Sequence, residues 1–286
     1  MAVRRPRRLA LAIPASLVLD VPHLREKTLK VGLVGRAAAI FRADEVRVYV
    51  DRVGEDVRRA ARFVTLILRY METPQYLRKR LFRLMPELRY AGVLPPLRTP
   101  HHPLRDKVSQ LRVGEFREGV VVSASSRGSH VDIGVERPAI IRGRRLPLGA
   151  RITVRVVDVD DAPVAEVVDR SAVREYWGYE VPEPSPSLKA VLKSDFDLVV
   201  ATSRRGEPLA SVVDQLVDAW KGSRRVLVAF GSPTEGLYEI AAREGVDLEE
   251  YAQFVVNTIP RQGVETVRTE EAVYATLAVL NFLLGE

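Results

Sequence analysis

What most constrains the fold is the order of hydrophobic periods along the chain. Strand and helix periods alternate at both ends, and short strands alone fill the middle. LALAI (9–13) is an unbroken apolar run of strand length, and between His23 and Arg42 the residues Leu29, Leu33, Ala37 and Ile40 recur at helical spacing. EVRVYV (45–50) follows as a second strand, and Val57, Ala61, Val64, Leu68 and Met71 place a helix over 55–72, closed by Pro74. After Ser187 the alternation resumes with a short helix, DLVVATS (197–203), a helix over 208–220 and RVLVAFG (225–231). A helix near 235–244, FVVNTIP (254–260) and a last helix over 269–284 complete it. This pattern predicts an α/β fold with a parallel sheet and right-handed crossovers.

The interruption begins after the Pro-rich VLPPLRTPHHPLR (93–105). FREGVVVSA, HVDIGV, AIIRG, ARITVRVVDV and VAEVVD follow, separated by Gly, Pro, Ser and Asp signals. Five short strands in so little chain fit a small OB-like β-barrel, a type whose exposed face often binds oligonucleotides; an SH3-like barrel or a purely structural insertion stays open. The expected organisation is one α/β domain built from 1–100 and 172–286, with an inserted barrel over 105–171.

Chemistry is narrowed by what is missing. There is no cysteine, which removes thiolate metal sites and a Cys nucleophile. No GxxxxGK[ST], GxGxxG after a strand or HExxH is found, so nucleotide hydrolysis, Rossmann cofactor use and zinc-protease chemistry lose support. His101 and His102 are adjacent and have no evident third ligand, so no metal is expected. Arg4, Arg5, Arg7 and Arg8 before LALAI imitate a signal peptide, but Pro14 and Asp20 interrupt the apolar run and no small-residue cleavage pattern follows. No apolar run has the length of a membrane span. A cytoplasmic protein is expected. Of the 44 lysines and arginines only seven are lysines, and the net charge is +7. An arginine-rich surface of that sign suits a polyanion, since guanidinium groups bind phosphate bidentately.

The loops after the last three strands, ATSRRG (201–206), AFGSPTEGL (229–237) and VVNTIPRQGVETVRTEEA (255–272), are rich in small and polar residues. Ligands of α/β sheets gather at the carboxyl ends of strands, where loop N–H and C=O groups are free. Any one of these loops alone is equally a turn. FGSPTEGL and NTIPRQGVETVRTEEA resemble the second and third cofactor-binding motifs of the SPOUT (trefoil-knot) methyltransferases. Gly32-x-x-x-Arg36-Ala-Ala-x-Ile-Phe resembles the first, with Lys30 where an Asn is often found. AIPASLVLD, PQYLRK, FREGVVV and YWGY extend the similarity, over nearly the whole chain, to the archaeal and eukaryotic RNA methyltransferase subfamily with a barrel insertion.

The resemblance implies a C-terminal trefoil knot, a homodimer packed through it, S-adenosyl-L-methionine as cofactor, and ribosomal or transfer RNA as substrate. The suggested product is 3-methyluridine. It also implies that backbone around Gly231, Leu237, Ile259, Gly263 and Val267 holds the adenosine, with Thr202, Arg205, Phe230, Glu235, Gly236, Asn257, Thr258, Pro260 and Thr269 nearby. Losing a ring proton puts negative charge on the flanking carbonyl oxygens of a uracil, which a fixed guanidinium stabilises. Arg36 and Arg268 are the candidates. Glu270 is a candidate for orienting an arginine or accepting the proton, against the plainer reading of a carboxylate at a helix start. A non-catalytic RNA-binding dimer that keeps the knot is the competing function.

Overall fold

In the computed structural model, which describes residues 3–160 and 162–285, the LALAI run forms β1 (Arg8–Pro14), buried along nearly its whole length. It pairs in parallel with β2 (Glu45–Tyr49) on one side and β9 (Arg225–Ala229) on the other. Continuous apolar runs suit such strands because both faces of a parallel sheet are covered by helices. With β8 (Leu198–Pro208) and β10 (Phe254–Asn257) the order is β10-β8-β9-β1-β2, and every pairing is parallel.

One face of the sheet is packed by α4 (Leu188–Leu192), α6 (Leu237–Arg243) and α7 (Leu248–Tyr251), through a core that includes Ala10, Ala12, Leu227, Leu237 and Ile240. Among the remaining helices, α1 (Leu24–Ile40) packs on α2 (Glu55–Glu72) and on α8 (Thr269–Leu284), and α5 (Leu209–Gly222) packs on β8, β10 and α8. No helix among the described residues is long and apolar enough to cross a membrane.

The buried face of α1 differs from the one its sequence suggests. Leu29 and Ile40 are 44% and 49% exposed, while Val31, Val34, Ala37 and Ala38 are fully buried. The small and β-branched side chains let α1 approach its neighbours closely, so the larger Leu29 and Ile40 are left on the opposite side. The final helix and α2 begin and end where their apolar periods do.

The second unit carries the barrel. β3 (Phe116–Ser125), β4 (Gly128–Asp132), β5 (Ala139–Arg142), β7 (Pro163–Val168) and β6 (Arg151–Val159) close in that order around Val121, Val131, Ile133, Ile141, Val154 and Val156. The compact unit extends beyond 105–171: it takes in Thr73–Met85, Leu97–Gly178 and, near the amino terminus, Val3 and Arg4. The first of these segments holds α3 (Gln75–Leu81), a helix its short, basic sequence does not announce. The Tyr76 ring fills the space where a Gly134 side chain would stand, and its hydroxyl donates to Glu118 O at 2.9 Å. Burial pushes that phenol well above its ordinary range. Glu118, 3% exposed, in turn accepts hydrogen bonds from Arg151, Thr153 and Trp177 at 2.6–2.7 Å, so this buried carboxylate is fully occupied.

Candidate active site

The carboxyl ends of β8, β9 and β10 converge on one cleft of about 240 Å³. Its first wall arises from a break in the ladder: Val255 pairs with Ala201, but the next residue, Val256, pairs with Glu207. Residues 202–206 therefore leave the sheet as an excursion. Gly206 brings it back: a Cβ there would stand 2.6 Å from Val255 O, so only glycine fits. The Thr202 hydroxyl donates to Ala229 O at 2.9 Å, and the Asn257 amide donates to Arg204 O at 3.1 Å while its oxygen accepts from Ile259 N. One asparagine thus fixes two loops.

The second wall is the turn after β9. Phe230 N donates to Ala12 O, and its carbonyl accepts from the buried Tyr49 hydroxyl at 2.6 Å, which anchors the strand end from two neighbours. Burial raises the Tyr49 pKa, which keeps the phenol a donor. Ser232 and Glu235 close a tight turn through Ser232 N–H to Glu235 O and Glu235 N–H to the Ser232 hydroxyl. The Glu235 carboxylate is gripped by both oxygens on Arg243 at 2.6 and 2.7 Å, an arrangement that lowers its pKa. The third wall is the loop into α8, tied down by Thr269 Oγ1 donating to Gly231 O at 3.0 Å and by the Thr258–Thr276 hydroxyl pair at 2.7 Å.

Of the residues singled out in the sequence, Thr202, Arg205, Phe230, Gly231, Glu235, Gly236, Asn257, Thr258, Ile259, Val267 and Thr269 line this cleft. Leu237 does not; it is fully buried in the core beneath α6. Pro260 and Gly263 lie in the turn beyond β10, outside the lining.

The three candidate catalytic residues also lie outside it. The Arg36 guanidinium donates to Pro96 O at 2.7 Å, and its charge offsets part of the rise that burial gives Tyr274 on α8. Arg268 is exposed at the start of α8, where its N–H donates to Glu271 Oε2. Glu270 is 4% exposed and 3.5 Å from Lys30, which also holds Asp20 at 2.6 Å. Burial raises the Glu270 pKa. The ion pair links α8 to α1 through Glu270 Oε1, and Oε2 is buried with no hydrogen-bond partner among the described residues.

Glu239 and Thr276 line the cleft from outside the three loops marked in the sequence, and Glu265 lies within one of them without having been singled out. Glu239 meets Arg205 at 2.6 Å, and Arg205 also lies over the Tyr238 ring at 5.0 Å. No local signal marks Thr276, two turns into an apolar helix. Glu239, one turn after the glycine at the start of α6, has the position of an ordinary first-turn carboxylate.

The cleft so built offers loop backbone groups, the apolar side chains Ile259 and Val267, the carboxylate of Glu265, and two carboxylates already paired with arginines, Glu235 with Arg243 and Glu239 with Arg205. That set suits a flat apolar ring, ribose hydroxyls and a positively charged group. No group of three or more His, Asp or Glu able to hold a metal ion occurs among the described residues.

Residues 8–280 match the model of the family described as "Putative RNA methyltransferase". An uncharacterised protein of Halobacterium salinarum is 39% identical over 290 residues, covering 94% of this chain and 96% of its own. The 28S rRNA (uridine-N(3))-methyltransferase of Homo sapiens is 35% identical over 310 residues, covering 96% of this chain and 78% of its own. The mouse protein of that name is 34% identical over 311 residues, covering 96% of this chain and 76% of its own.

Proposed function

The chain belongs to the RNA methyltransferase family, and from that premise we propose that it methylates N3 of a uridine in ribosomal RNA, with S-adenosyl-L-methionine as donor. The observation that carries the proposal is the three-walled cleft at the carboxyl ends of β8, β9 and β10. Bound there, the cofactor supplies an electrophilic methyl group. Ile259 and Val267 would face its adenine, the loop backbone at Gly231 and Ile259 its polar edges, and the carboxylate of Glu265 its positive charge. The protein's remaining tasks are alignment, exclusion of water and stabilisation of the uracil anion.

A C-terminal knot, a homodimer and an OB-like barrel belong to the same reading. The barrel order supports the last, its third and fifth strands being parallel and its first and fourth closing the ring. Exposed apolar side chains on α1 and α8, Leu29, Ile40 and an 83% exposed Phe282, support a second copy packing there. Arg36 lies outside the cleft of its own chain, and we assign its charge to the cleft of the partner copy, because α1 also carries Leu29 and Ile40.

The test is mass spectrometry of nucleosides from ribosomal RNA incubated with the protein and methyl-labelled S-adenosylmethionine. Labelled 3-methyluridine is expected. No labelled nucleoside would leave the non-catalytic RNA-binding dimer standing instead, and a different labelled nucleoside would overturn the acceptor.

A further inference from the structure

We propose that one end of the barrel, carrying Arg127, Arg142, Arg144 and Arg145, is a phosphate-binding platform for single-stranded RNA. The inference rests on RNA being the substrate and names the surface that grips it.

All four side chains are exposed, and among the described residues none takes part in an ion pair or a hydrogen bond. Three other arginines on the barrel strands are paired: Arg117 with Glu115, Arg151 with Glu118, and Arg155 with Glu166. No acidic residue occurs between Glu118 and Asp132 or between Glu136 and Asp158, so both segments bearing the four arginines are of one sign. Unpaired like charges repel one another, and gathering them gains nothing for the fold alone.

The backbone beneath them is fixed. Arg127 sits in the β3–β4 turn and Arg142, Arg144 and Arg145 at the end of β5, brought together by the pairing of Gly128 with Arg142. Gly143 N donates to Arg127 O at 3.0 Å, joining the two loops. Beneath the second loop the Ser129 hydroxyl, fully buried, donates to Arg144 O at 2.8 Å and accepts from Leu146 N at 2.9 Å. Leu146 is 8% exposed and packs into the barrel core, which pins the loop from inside. Gly128 allows the close pairing, since a Cβ there would stand 2.2 Å from Ile141 O.

A planar guanidinium binds phosphate oxygens in a fork, and the two loops, tied by Ser129 and by the Gly143–Arg127 bond, carry four such forks on backbone that is already fixed. A protein partner would want an apolar centre. The large apolar side chain exposed on these loops is Leu148 alone among the described residues, so the chemistry favours a polyphosphate chain. Ser123 and His130, exposed and in contact at 3.0 Å on the adjoining strands, extend the polar surface, and the His130 ring is a candidate stacking partner for a base.

The experiment is the salt dependence of binding of a fluorescein-labelled oligouridylate of about 20 nucleotides, read by anisotropy, since each phosphate neutralised on a single strand adds roughly 0.7 to the slope of log K against log salt. Changing all four arginines to glutamine is expected to make the slope shallower by about 2–3 and weaken binding at least tenfold at low salt. Changing all four to lysine should keep most of the slope, because the charges remain. In both variants the melting temperature and its rise with S-adenosylhomocysteine should match the parent. An unchanged slope in the glutamine variant, or an oligouridylate that the parent protein does not bind, overturns the platform. Failure of the reaction reading looks different: the parent would form no methyluridine while the slope change persisted.

Discussion

Gly206 is the residue on which the cleft's first wall turns. It lies at the end of a five-residue excursion, and its missing side chain lets the chain rejoin β10 after a register jump. Gly206→Ala puts a methyl group against Val255 O, and either the excursion or the β10 pairing must move. Calorimetry is expected to show cofactor affinity falling at least tenfold, with a melting temperature lowered by a few degrees, as for a local clash costing about 1–3 kcal/mol. Unchanged affinity would show that the excursion does not shape the binding site. At the same scale, Glu270 in the first turn of α8 meets Lys30 of α1 through Oε1, while its Oε2 is buried with no hydrogen-bond partner among the described residues.

At the scale of the element, α1 shows how a helical period can be detected with the wrong face assigned. Leu29, Leu33, Ala37 and Ile40 do recur at helical spacing, but of these only Ala37 is fully buried, together with Val31, Val34 and Ala38. Both stripes are apolar, and hydrophobicity alone does not rank them. Val34→Ala, a deletion in the buried stripe, should destabilise the chain by about 1–2 kcal/mol in denaturant unfolding. Leu29→Ala should leave monomer unfolding within about 0.5 kcal/mol of the parent, and should weaken self-association measured by sedimentation if the exposed stripe meets a second copy. Equal destabilisation by the two changes would place Leu29 in the core after all.

The whole-molecule question is whether a site is completed within one chain or between two. Arg36 is anchored on Pro96 O and does not line its own chain's cleft. If the partner's cleft is where it acts, Arg36→Ala lowers turnover by a factor on the order of 100 and leaves the cofactor dissociation constant nearly unchanged. Gly231→Trp instead blocks the cleft of its own chain. Mixing the two inactive variants and allowing subunits to exchange should restore about a quarter of the parent activity, because half of the dimers would pair an intact cleft with an intact Arg36. No recovery in a mixture shown by mass to contain the mixed dimer would confine Arg36 to its own chain.

Periodicity determined the element types, the parallel sheet and the five-stranded insertion, because side-chain burial repeats with the geometry of the backbone that carries it. Loop composition after β8, β9 and β10 pointed to the carboxyl end of the sheet, and the family resemblance of two of those loops singled out eleven residues that line the cleft. Tertiary structure decided the rest. Which stripe of α1 is buried depends on neighbours distant in sequence, and α3 joins the barrel unit through Tyr76 and Glu118, contacts with no local signature. Thr276 enters the cleft because a hydroxyl two turns into α8 meets Thr258 across 18 positions. Arg127 and Arg145 come together for the same reason: strand pairing joins segments that the sequence keeps apart, and a shared charge becomes a surface only after the barrel closes.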